Sequence, residues 1–309
     1  MIRSGFLIPP AFRSAALDDL HRLSRMPPLF VAKSPRRPLI TRLAARLEPA
    51  ARRAFLSAIR ELSGRIDLDT LETAVLSGEV TRVEAALLLD QLPEALRVKL
   101  RPVIGAALGV GAEAGREALS GTPAYGVDFA RTNPAAVAWA NQHAALLVTE
   151  ISEGTRSAIR ALVTTSQTEG RSVRWLAQEL REVVGLHPRQ VTAVENFRLR
   201  LEASGIDDAE IERRTARYAE AQRRLRAETI ARTEILSSAN EGQQRLWEAA
   251  ADQGLLRREE TKRVWITTDD DLLDVTECEP MDGQRVALDE PFVTGTGKSV
   301  MLPPGPHPG

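Results

Sequence analysis

The 309-residue chain has a single cysteine, Cys278. That excludes an internal disulfide framework and any all-cysteine zinc site within one chain. Aromatics make up only 4%, with two Tyr and seven Phe. A core left to Ala, Leu and Val suits helix-on-helix packing better than a β-sandwich, which leans on β-branched and aromatic pairs. Excess charge is missing too: 41 Lys and Arg face 42 Asp and Glu, for a formal net charge of −1. This balance argues against a constitutive nucleic-acid coat or a polybasic membrane binder, while permitting local patches. No run approaches the roughly 18–20 apolar residues of a membrane span, and the opening MIRSGFLIPPAFRS is too short in apolar character for a signal peptide. The expectation is a soluble, intracellularly made, mainly α protein with room for one large or two ordinary domains.

What is present falls into four zones. Residues 1–38 carry Pro9, Pro10, Pro27, Pro28, Pro35 and Pro38 among seven basic residues, and read as an extended basic arm. Such an arm is either a passive terminus or a segment that orders against a partner. Residues 39–119 are helical in pattern, with Leu43, Leu47, Ala51, Phe55, Ala58 and Leu62 at spacings of three and four. Asp67 or Asp69 caps the next helix, carrying Leu68, Leu71, Val75 and Leu76; Gly78 ends it and Thr81 begins another. A longer helix follows Pro93, with Gly105, Gly109, Gly111 and Gly115 in a small-residue stripe that lets two helices approach closely. GVGAEAG is a poor dinucleotide fingerprint because no strand precedes it.

The third zone, residues 120–253, opens on a break and then a long helix from Asn133-Pro134. Further helices are expected over Ser172–Val184, from Pro188 to about Ala203, and from Asp207 or Asp208 to Asp252. The stretch Glu210–Glu234 pairs Arg with Glu at i,i+4, as in Glu220 with Arg224 and Glu228 with Arg232, and reads as a solvated face. In the last zone, residues 254–309, strands are expected at Lys262–Thr267, at Gln284–Leu288 after the Asp282-Gly283 turn, and at Pro291–Thr294. The architecture expected is an elongated helical body of long helices closed by a small irregular C-terminal β unit.

Little in this pattern points to turnover. His21, His143, His187 and His307 sit in unlike contexts, and no G-x-S-x-G elbow occurs. Asp269, Asp270, Asp271 and Asp274 invite a divalent cation but lack the EF-hand spacing and its glycine, so a solvated turn is the simpler reading. Cys278 and His307 are two ligands of the four a zinc site needs. Residues 172–194 have helix-turn-helix spacing, with only Arg189 and Gln190 to read bases. A more pointed pattern is IARTEILSSANEGQQRLW, in which Arg232, Leu236 and Asn240 share one helix face. Arg and Asn flanking Leu on a half-buried face suit a polar anchor that holds carboxylates and loop backbone groups.

These residues carry a resemblance. Ile230-Ala231-Arg232-Thr233-Glu234, Ala239-Asn240-Glu241-Gly242, Trp247 and Gly254 resemble the Mu F-like minor head, or head morphogenesis, proteins of tailed phages. It continues through Trp265-Ile266-Thr267-Thr268-Asp269, Cys278, Met281-Asp282-Gly283-Gln284, Leu288-Asp289-Glu290-Pro291-Phe292 and Pro303-Pro304…His307-Pro308. Many relatives carry a Cys-x-x-Cys before the Asp-Gly turn; here Cys278 matches its second cysteine and Val275 occupies the first. The resemblance implies a structural virion component in the head interior or at the portal, made in the bacterial cytoplasm and present in several copies per particle. It implies binding to portal or major capsid subunits, and packaged DNA as a further partner, with no membrane, metal, cofactor or catalytic residue. The residues it singles out are Arg232, Thr233, Glu234, Asn240, Gly242, Trp265, Asp282, Gly283, Phe292 and His307. A helix-turn-helix regulator using residues 172–194 is the alternative from a different class, and a cation-dependent hydrolase at Asp269–Asp274 a third.

Overall fold

The computed structural model describes residues 39–127, 134–169, 172–267 and 276–303. The protein is mainly helical, with a small C-terminal region of short antiparallel strands. In chain order the helices are α1 (Leu39–Ala45), α2 (Glu48–Ser63), α3 (Leu68–Leu76), α4 (Val80–Ala86), α5 (Leu92–Ala118), α6 (Pro134–Glu169), α7 (Val173–Val183), α8 (Pro188–Ala203) and α9 (Asp208–Asp252). Among the described residues four strands follow: β1 (Lys262–Val264), β2 (Arg285–Ala287), β3 (Phe292–Val293) and β4 (Ser299–Val300). Strand β1 pairs antiparallel with β2, Arg263 opposite Val286, and β3 with β4, Phe292 opposite Val300. Among the described residues no helix is long and apolar enough to cross a membrane.

Local chemistry sets several helix ends. The Asp67 carboxylate accepts from the Thr70 amide at 2.8 Å, satisfying an amide that the first turn of α3 leaves without a carbonyl. Ser172 does the same for Trp175 at the start of α7. His187 caps α8 in a reciprocal box with Gln190. Gly78, Gly185 and Gly254 each take a positive φ just past a helix end. At Gly185 a side chain is doubly barred, because a Cβ there would lie 2.8 Å from the Ile59 side chain. Three local readings need correction. The helix expected at Thr81 starts at Val80, preceded by Glu79 with no side-chain cap. Leu76, expected on an apolar face, is 71% exposed in the last turn of α3. The strand expected over Lys262–Thr267 stops at Val264.

The contacts divide the chain into two compact units, neither continuous in sequence. One contains described residues 50–101 and 141–231, the other described residues 39–49, 102–127, 134–140 and from Arg232 onward. In the first, Phe55, Ile59, Leu62, Leu71, Leu87, Leu92, Leu96, Ile159 and Leu180 are fully buried aliphatic and aromatic side chains. The Arg- and Glu-dense part of α9 is not a solvated face all round. Glu220 does meet Arg224 as expected, and Glu228 carries an ion pair to Arg52 of α2 at 2.8 Å. Arg223, however, is buried and donates to the Glu182 carbonyl, while Arg226 donates to the Gly185 carbonyl at 2.8 Å. Both guanidiniums satisfy carbonyls that the end of α7 leaves open. Burial pulls the Arg226 pKa down to about 10 against the opposing charge of Glu150.

Candidate functional site

The second unit brings α9, α5 and the four strands together, and its geometry begins with glycine. A Cβ on Gly111 would lie 1.7 Å from the Ala239 carbonyl oxygen, and one on Gly242 would lie 2.0 Å from the Leu108 carbonyl oxygen. Each helix therefore presents a glycine to the other's backbone, and the small-residue stripe of α5 serves close packing, as its composition predicts. Gly115 continues the contact, its carbonyl accepting from Trp247 Nε1 at 3.0 Å. Below it Ala112, Leu119, Ala124, Val127, Leu246 and Ala250 form one apolar cluster.

From this packed stretch α9 reaches the C-terminal segments. Asn240 is buried, and its Nδ2 donates to the Pro303 carbonyl at 3.0 Å as well as to the Leu236 carbonyl one turn back. One turn further on, Gln244 Nε2 donates to the Leu288 carbonyl at 2.9 Å. These two amides, four residues apart on one helix face, hold the carbonyls that flank β3 and β4, Leu288 before them and Pro303 after. Arg232 and Thr233, on the same helix, are exposed, and Glu234 is half-buried.

Within the strands Trp265 packs edge to face against Phe292, with ring centroids 5.2 Å apart, and Met281 and Val300 complete the cluster. The hydrogen bonding of β1 and β2 extends past their ends, Trp265 N–H to the Gln284 carbonyl and Gly283 N–H to the Trp265 carbonyl. Gly283 adopts φ +76° in that turn, and Asp282 Oδ1 accepts from the Thr267 amide at 3.0 Å. The Asp-Gly pair thus closes β1 onto β2, as a turn signal requires.

Arg263 is one residue that sequence reasoning missed. It is 4% exposed, and its guanidinium donates to the carbonyls of Ala287, Met301 and Glu290 while stacking 5.0 Å from the centre of the Phe292 ring. Burial lowers its pKa, against the attraction of Glu248 and Asp289. The signal was in the strand parity: Arg263 and Trp265 are two residues apart, so whichever face takes the indole takes the guanidinium. Glu277 was missed as well. Lys298 Nζ and Thr296 Oγ1 donate to its Oε1 at 2.8 and 2.7 Å, and hydrogen bonds led by Lys298 bring its pKa down to about 2.

His307 and Asp269–Asp274 lie outside the described residues, as does the arm over 1–38. Cys278 is half-buried and in no disulfide, and among the described residues no group of three His, Cys, Asp or Glu is placed to hold a metal ion. In the α7–α8 hairpin Leu176, Ala177, Leu180, Val184, Leu186, Val191 and Val194 are all buried, as the helix-turn-helix spacing predicts. Of its two base readers, Gln190 is already engaged, donating to the Gln222 carbonyl and accepting from the His187 amide. What the second unit can do chemically is hold a rigid surface, through amides and one arginine that satisfy loop carbonyls. No protein-family model, curated protein or solved structure matches the chain.

Proposed function

We propose that the chain is a structural minor head protein of a tailed phage, prophage or gene-transfer-agent particle, acting by binding rather than turnover. The observation that carries the reading is the ordered succession of short motifs from Arg232 to His307. A further consideration supports it. Motif residues Asn240, Gly242, Trp265, Asp282, Gly283 and Phe292 all serve to brace one unit, as a docking module needs if its surface is to be preorganised. Portal or major capsid protein is the partner on this reading, with packaged DNA a further one, and the particle interior or portal region the location. Head assembly is the role, with genome delivery as an extension of it.

The test is capture. The tagged full-length chain, co-expressed with the portal and major capsid proteins of the same genome, is expected to retain portal through purification. Retention of neither protein overturns the proposal.

A further inference from the structure

On the first unit α2, α7 and α9 enclose a cleft of about 320 Å³. Ile59 and Ile66 give it apolar lining, and Arg60, Ser63, Gly64, Arg181, Glu182 and Arg223 the rest. That volume is at the lower end of small-ligand sites. Its charge is uneven. Glu220 is held by Arg60 at 3.2 Å, by Arg224 at 3.3 Å and by Arg223, while Glu182 has Arg181 at 3.7 Å and Arg223 at 3.8 Å. Four guanidiniums thus share two carboxylates, which leaves this cluster with surplus positive charge beside an open cleft.

The three cleft arginines are not equivalent. Arg223 is 8% exposed and fixed from two sides, by the Glu182 carbonyl and the Glu220 carboxylate. Its Nε is buried and has no acceptor among the described residues. Arg60 and Arg181 have side chains 59% and 37% exposed, so their heads can swing. Arg181 reaches its carboxylate only at a distance too long for a hydrogen bond. Glu220 shows what the arrangement accepts: a single oxyanion gripped by three guanidiniums at once. Burial opposes the charge on that carboxylate, yet the Arg60 hydrogen bond and the Arg223 charge outweigh it and keep its pKa below the ordinary glutamate value.

We propose that this cleft is a binding site for a phosphate-type oxyanion, with Arg223 as the fixed cation and Arg60 and Arg181 as the arms that close on it. Guanidinium forks match the tetrahedral oxygens of phosphate and bind it in pairs of parallel hydrogen bonds. A dianion neutralises the local surplus, and the Ser63 hydroxyl supplies a further donor at the rim. The site stands apart from the minor-head reading, and either can fail without the other.

Equilibrium dialysis of the full-length chain against radiolabelled orthophosphate, at physiological salt, is the test. One saturable site is expected, weakened about tenfold or more in the double variant Arg60→Gln/Arg181→Gln. Both side chains are substantially exposed, so the variant's thermal unfolding is expected to match the parent's. Ser63→Glu, which puts a carboxylate at the rim, is expected to weaken binding in the same way. Displacement by a short 5′-phosphorylated DNA strand, but not by its unphosphorylated twin, assigns the anion to a strand end. Displacement by both assigns it to the nucleic-acid backbone, and by neither to a free phosphate ester; each supports the site. Non-saturable uptake, undiminished binding in both variants, or equal displacement by succinate overturns it.

Discussion

Alanine at Gly111 is the perturbation that probes the packing of α5 on α9 most sharply. In an exposed helix the change favours folding by about 1 kcal/mol, since glycine is the poorer helix former. Here the added Cβ would sit 1.7 Å from the Ala239 carbonyl oxygen, where ordinary contact begins at 3.4 Å. The obstacle is backbone and cannot rotate away, so the helices must separate. Overpacking of this kind costs about 1–3 kcal/mol or more. Separation also strains the Trp247–Gly115 hydrogen bond, whose loss adds about 1 kcal/mol. The net expectation is destabilisation by about 1–3 kcal/mol. Gly242→Ala should behave alike, and the double variant should cost less than the sum, because one separation relieves both clashes. Gly154→Ala in α6 is the control: its Cβ would meet nothing closer than 3.5 Å, so stabilisation by about 0.5–1 kcal/mol is expected. Urea unfolding followed by circular dichroism measures all four. A midpoint for Gly111→Ala that rises together with that of Gly154→Ala would refute the reasoning.

Three further outcomes are expected. Asn240→Ala removes the donor to the buried Pro303 contact and should cost about 1–3 kcal/mol, read as faster protease cleavage after Gly254. Arg263→Lys should not rescue Arg263→Ala, because one ammonium cannot reproduce a planar fork shared among three carbonyls; the Trp265 fluorescence change on unfolding should come at lower urea in both. The depressed Glu277 pKa contributes stability that is present above the unfolded value near 4.3 and is lost as pH falls toward about 2. Protection factors of the β3 and β4 amides, which divide out intrinsic exchange, should therefore fall across that window, and the fall should be smaller in Glu277→Gln.

How far the sequence disclosed this protein depends on the range of the interaction involved. Asp67, Ser172, Gly78, Gly185 and Gly254 act within a few residues of themselves, so the ends of α3, α7 and α9 were legible. The glycine stripe of α5 announced close packing, but not that Ala239 and Gly242 receive it, more than a hundred residues away. Arg223 and Arg226 looked like solvated helix charges. Their inward engagement follows from the carbonyls they satisfy at the end of α7, which no i,i+4 rule contains. Strand β4 is two residues in a glycine-bounded stretch, too short for any alternation to register. At the candidate site the polar anchor was half legible: Asn240 holds the C-terminal segment as its position suggested, and Gln244 and Arg263 share the work unannounced.

The central claim is that the chain belongs to a particle. Quantitative mass spectrometry of purified mature and precursor heads from the source bacterium tests it directly. The chain is expected in those heads, at an abundance that follows that of the portal protein. Its absence from both kinds of particle would contradict the claim.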